Sequence, residues 1–67
     1  MNATGIVREI ARMRKDRGMT QSELGRAAGL CQPVISRVEK GRAEPNVETL
    51  TAMLAPFGKT LIIADIN

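Results

Sequence analysis

Four side chains in the stretch GLCQPVISRVEKG, positions 29–41, are of types that can recognise a polar surface. On a helix, positions 32, 33, 36 and 37 share one face, and they hold Gln32, Pro33, Ser36 and Arg37. A glutamine amide can make paired hydrogen bonds to adenine, and an arginine guanidinium can do the same to guanine. None of the four is acidic, and an Asp or Glu there would repel a polyanion. The chemistry suggested is recognition, with Gln32 and Arg37 reading base edges.

Catalytic and metal chemistry find little support in the same residues. The chain has no histidine and one cysteine, so a Cys/His zinc site and an internal disulfide are both excluded. Cys31 has no evident base to activate it and reads as a small hydrophobe. Glu9, Asp16, Glu23 and Glu39 fall at surface or capping positions of helices, and no glycine-rich phosphate loop is present. The expectation is a non-enzyme with no cofactor and no metal. No apolar run approaches the ~20 residues of a membrane span, and MNATGIVREI lacks a signal-peptide core. A lone cysteine fits a reduced compartment, so a cytoplasmic protein with no membrane partner is expected.

These side chains must be positioned by the surrounding elements. Ile6, Ile10 and Met13 recur at helical spacing beside Val7 and Ala11, which predicts a first helix over about 4–17, ended by Gly18. In TQSE, Thr20 can cap a second helix and Glu23 can reach back to it. That helix runs 21–28, with Leu24, Ala27 and Ala28 turned inward, and Gly29 stops it. A third helix spans about 32–40. Pro33 is tolerated because first-turn N–H groups have no helical acceptor, and the residue before a proline resists helical geometry. Gln32 is therefore a candidate cap, which would occupy its side chain. Asn46 can cap a fourth helix over about 47–55, carrying Val47, Leu50, Met53 and Leu54.

Residues 60–66 (TLIIADI) are rich in β-branched side chains and read as a strand. Leu61 and Ile63 would lie on one face, and Ile62, Ala64 and Ile66 on the other. A single strand leaves its backbone groups unpaired, so the economical partner is the same strand of a second copy. A homodimer is expected. Charge is also divided. Up to position 42 there are nine Lys/Arg and four acids; from 43 onward there are one Lys and three acids. A basic front and a weakly acidic rear suit a polyanion on one side and another partner on the other.

Two short helices joined by a glycine-containing turn form a helix-turn-helix, here over 21–40. Gly25 sits where the two helices cross closely, Leu30 plugs the corner, and Ile35 and Val38 face the core. The sequence GMTQSELGRAAGLCQPVISRVEKGRAEPNVETL resembles the Cro/C1-type (XRE) helix-turn-helix family over residues 6 to 56 or so. The resemblance implies a mostly α, four-helix lambda-repressor-like domain occupying 1–67, followed here by the dimerising strand. It implies that Gln32 is a principal base reader beside Pro33, Ser36 and Arg37. It also implies phosphate contacts from Gln21, Thr20, Lys40 and Arg42, and an ion pair between Arg14 and Glu39. Double-stranded DNA bearing a palindromic operator is the partner it suggests.

Two departures from the family pattern stand out. Cys31 replaces the usual Ser or Asn, and Pro33 replaces a small polar residue, so contact at 33 would be van der Waals only. The strand in place of a fifth helix is similar to HipB-type antitoxin subunits, which adds a cognate toxin as a candidate partner. Stand-alone phage or restriction–modification controller-type regulators are the alternative.

Overall fold

The computed structural model describes residues 3–62 and 64–66. Four helices follow one another: α1 Ala3–Asp16, α2 Gln21–Ala28, α3 Gln32–Glu39 and α4 Val47–Leu54, with a 3-10 turn Ala55–Phe57 after α4. Their ends follow from local chemistry. At α2 the Thr20 hydroxyl accepts from the Glu23 N–H (3.0 Å) while Glu23 accepts from the Thr20 N–H (2.8 Å), the reciprocal cap expected from TQSE. At α4 the Asn46 side chain accepts from the Thr49 N–H at 2.8 Å.

One face of each helix closes on a common core. Ile10, Leu24, Ile35 and Met53 are fully buried, one from each helix, and Val7, Met13, Val38, Leu50, Leu54 and Phe57 complete the cluster. Each such side chain contributes on the order of 1.5–3 kcal/mol on burial. Ala27, expected to face inward, is exposed, and Ala28 is half-buried. In a helix of eight residues Leu24 and Gly25 already fill the inward face, leaving Ala27 on the far side.

The turn between α2 and α3 sets the angle of the reading helix. Gly29 takes a left-handed conformation (φ 74°), and the Leu30 N–H then donates to the Gly25 carbonyl at 2.7 Å. A Cβ on Gly25 would lie 2.6 Å from the Leu30 carbonyl oxygen, so only glycine lets the turn fold this close.

Three further expectations are corrected. Cys31, not Gln32, is the N-cap of α3, with no side-chain hydrogen bond, so Gln32 opens the helix and Pro33 follows it in the first turn. Cys31 is exposed rather than packed as a small hydrophobe. Among the described residues there is no strand: Thr60 to Ile62 and Ala64 to Ile66 have no regular structure, and Ile63 lies outside the described residues. A ladder needs a second extended segment, and the described residues of one chain supply none. Leu61 packs against the core, whereas Ile62 and Ile66 are 81% and 100% exposed.

Candidate nucleic-acid interface

Helix α1 carries the buried end of a polar chain that runs to the start of α3. Arg14 is 8% exposed, and its Nε and Nη2 donate to the two oxygens of Glu39 at 2.8 and 2.9 Å. Its Nη1 donates to the Met19 carbonyl at 2.8 Å, so the guanidinium ties the α1–α2 connection to the end of α3. The paired geometry is the strong form of an arginine–carboxylate contact.

Glu39 also accepts from Gln21 Nε2 at 3.1 Å, and Gln21 Oε1 accepts from Gln32 Nε2 at 2.8 Å. Four side chains on three helices are thus joined in series: Arg14, Glu39, Gln21, Gln32. Burial pushes the Glu39 carboxyl up, but hydrogen bonds from Arg14 and Gln21, with the charges of Arg14 and Lys15, outweigh it. The net result lies below the ordinary carboxylate range. No buried side-chain nitrogen or oxygen among the described residues lacks a partner.

At the outer end of this chain Gln32, Pro33 and Arg37 are exposed, and Ser36 is half-buried against the body of the domain. The cap question is thereby answered for Gln32: its amide is held by Gln21, with one N–H and the oxygen left over for a ligand. Gln21 is half-buried at the start of α2. Thr20 beside it is exposed, with its oxygen engaged by the Glu23 N–H. Lys40 and Arg42 sit at the opposite end of α3, both exposed, where the Arg42 N–H folds back on the Arg37 carbonyl at 2.9 Å. Gln21 and Gln32 are therefore brought together, while Lys40 and Arg42 form a separate cationic group.

The same two cations line an open cleft of about 530 Å³ between the start of α1 and the loop after α3, with Arg8 across from them. Its acids are Glu39, committed to Arg14, and Glu44, so it offers no acid–base pair. Two contacts were not visible in the sequence. One is the link from Glu39 through Gln21 to Gln32; the other is Arg17, whose guanidinium lies 5.0 Å from the Phe57 ring centroid. Their partners are far apart along the chain, and no local spacing marks them.

A glycine-hinged pair of short helices, with a basic, acid-free outer face on the second, defines a helix-turn-helix domain. The comparisons with known proteins agree: the pattern described as Helix-turn-helix matches residues 10–63. The chain belongs to the Cro/C1-type (XRE) helix-turn-helix family, one of DNA-binding transcriptional regulators rather than enzymes.

Over 62 residues it is 41% identical to an uncharacterized HTH-type transcriptional regulator of Haemophilus influenzae, covering 92% of this chain and 63% of that protein. It is 38% identical over 48 residues to the uncharacterized HTH-type transcriptional regulator y4dJ of Sinorhizobium fredii, covering 72% and 62%. The chain thus spans less than two thirds of the length of these curated relatives. Among solved structures, a toxin–antitoxin module from Streptococcus pneumoniae superposes with a TM-score of 0.78 at 35% identity, covering 94% of this chain and 69% of that one. None of the described helices is long and apolar enough to cross a membrane.

Proposed function

We propose that this chain is a sequence-specific DNA-binding repressor that works in the cytoplasm as a homodimer on a palindromic operator. The observation that carries the reading is the ordered first turn of α3. There Gln32 is exposed yet held in place by Gln21, and Arg37 stands exposed one turn further on. Gln32 and Arg37 read bases in the major groove, Pro33 touches a thymine methyl, and Ser36 supports them. Gln21, Thr20, Lys40 and Arg42 bind phosphates on either side.

Dimerisation is assigned to residues 60–66, pairing across a two-fold axis with the two half-sites about 34 Å apart. The exposed Ile62 and Ile66 support this, because apolar side chains left uncovered by their own chain gain most from a second copy. Light scattering on the full chain and on one ending at Gly58 checks it: a dimer and a monomer are expected, and a monomer in both would remove strand pairing.

The DNA reading is tested by gel shift against the upstream region of the protein's own gene at stated salt. Specific binding is expected, and equal binding to random duplex would refute it. Arg37→Ala should relax sequence preference, whereas Lys40→Ala should weaken all sequences alike and lower the salt slope by about one.

The similarity to a toxin–antitoxin module favours a fuller reading, in which the repressor is the antitoxin of such a pair and represses its own operon. The weakly acidic, apolar rear surface would hold the toxin. Co-purification with the product of an adjacent gene tests this. A chain that binds its operator but captures no such product is instead a stand-alone regulator of the phage or controller type.

A further inference from the structure

A carboxylate accepts hydrogen bonds and cannot donate them, and this property at Glu39 has consequences two residues along the chain of contacts. With Glu39 held ionised by Arg14, Gln21 must turn its NH2 toward it, as the 3.1 Å contact shows. The Gln21 oxygen then faces the other way, so Gln32 must in turn present its NH2 to Gln21, which it does at 2.8 Å. The order of donor and acceptor along the Gln32 amide is no longer free. Its oxygen points away from Gln21, and one N–H remains beside it. That order, acceptor on the far side and donor on the near side, suits the N6 amino group and N7 of adenine. A reversed amide would set NH2 against the N6 amino group and oxygen against N7, losing both bonds to adenine, whereas guanine presents acceptors at both N7 and O6 and is fully matched by neither order.

We propose that Glu39, without touching DNA, selects the base read by Gln32 by fixing the donor–acceptor order of the Gln21–Gln32 pair. Glu39 and Gln21 are positioning residues in this scheme, and adenine over guanine is the discrimination they enforce. The inference rests on the DNA-reading function proposed above. It adds that sequence preference is set from the protein interior, through a series that begins at the buried Arg14 of α1.

The experiment selects binding sites from randomised duplexes and locates the base pair whose preference is lost in Gln32→Ala. The adenine-to-guanine ratio of affinities is then measured at that position. For the wild type a ratio of roughly tenfold or more is expected, the usual worth of a good paired contact. Gln21→Lys is the decisive variant. Lysine only donates, so it satisfies Glu39 and forces Gln32 to reverse; the ratio should fall to near one even as general affinity rises. Glu39→Gln, isosteric but able to face either way, should bring the ratio to within about twofold of unity if the order is set at Glu39. Lys40→Ala should lower affinity for all sequences and leave the ratio where it was.

Circular dichroism first establishes that each variant is folded. Folded Gln21→Lys and Glu39→Gln proteins that keep the wild-type ratio would overturn the proposal. A wild type that prefers no sequence would overturn the DNA-reading function, and this inference with it. The amide resonances of Gln32 in the free protein give an independent readout: they should shift in both variants, and unchanged resonances count against the series.

Discussion

The helix-turn-helix and the carboxy-terminal tail use their side chains in opposite ways. In α2 and α3 the core and the capping and bridging groups have partners within the chain: Leu24 and Ile35 are fully buried, Thr20 and Glu23 cap each other, and Glu39 serves both Arg14 and Gln21. After Gly58 the reverse holds among the described residues. Leu61 alone packs on the core, while Ile62 and Ile66 are exposed, and no backbone ladder forms. The difference teaches where the chain is complete by itself. A reading head must keep its shape before it meets a ligand, so it is stabilised from within; on the dimer proposed above, the apolar groups of the tail stay uncovered until the second chain arrives.

Substitutions should break this contrast in a graded order. Ile35→Ala removes a fully buried side chain from the middle of the head and should cost about 2–5 kcal/mol, a large share of the stability of so small a domain. Thermal melting by circular dichroism would show it as a collapse or loss of the transition. Arg14→Met strands the Glu39 carboxylate, which is 8% exposed, and should cost about 3 kcal/mol.

Acid titration approaches the same pair without mutation. Because the folded pKa of Glu39 lies below its unfolded value, its contribution is complete above the ordinary carboxylate range. It is lost as the pH falls through the folded value. Urea midpoints should therefore drop on acidification in the wild type, and the drop should be smaller in Arg14→Met. An equal drop in both would show that other carboxylates carry the acid sensitivity.

Gly25→Ala comes next. It places a methyl 2.6 Å from a backbone oxygen that cannot rotate away, and opening the α2–α3 turn should cost about 1–3 kcal/mol. DNA affinity should suffer more than the melting temperature suggests, since the angle of α3 changes with it. Smallest of all is Ile62→Ser. The side chain touches little in its own chain, so the melting temperature of dilute protein should move by the equivalent of about 0.5 kcal/mol or less. Weakened self-association in light scattering is the expected companion. A large loss of monomer stability instead would place Ile62 in the core and erase the contrast between the two regions.

Most of the head was legible from the chain. The caps at Thr20 and Asn46, the stop at Gly29 and the inward Leu24, Ile35 and Val38 all stand where local spacing puts them. The Arg14–Glu39 pair was implied only by the family resemblance. Ala27 lies outside the core although it is apolar, because small apolar residues suit either face of a short helix. The place of Gln32 is not legible beside Pro33, because proline rules describe the backbone alone and say nothing of where the preceding side chain finds its partner.

Amino-acid order by itself determined the helices, their ends, the core face of each, the acid-free outer face of α3 and the basic front. Every one of these depends on neighbours within about four positions, where chain geometry leaves few choices. Only the tertiary structure decided that Glu39 reaches Gln21, 18 residues away, and that Gln21 reaches Gln32, 11 away. Those contacts exist because Gly25 lets α3 cross α2 closely enough to bring both ends of α3 within reach of Gln21. Long-range proximity of that kind is a product of packing, and no periodicity records it.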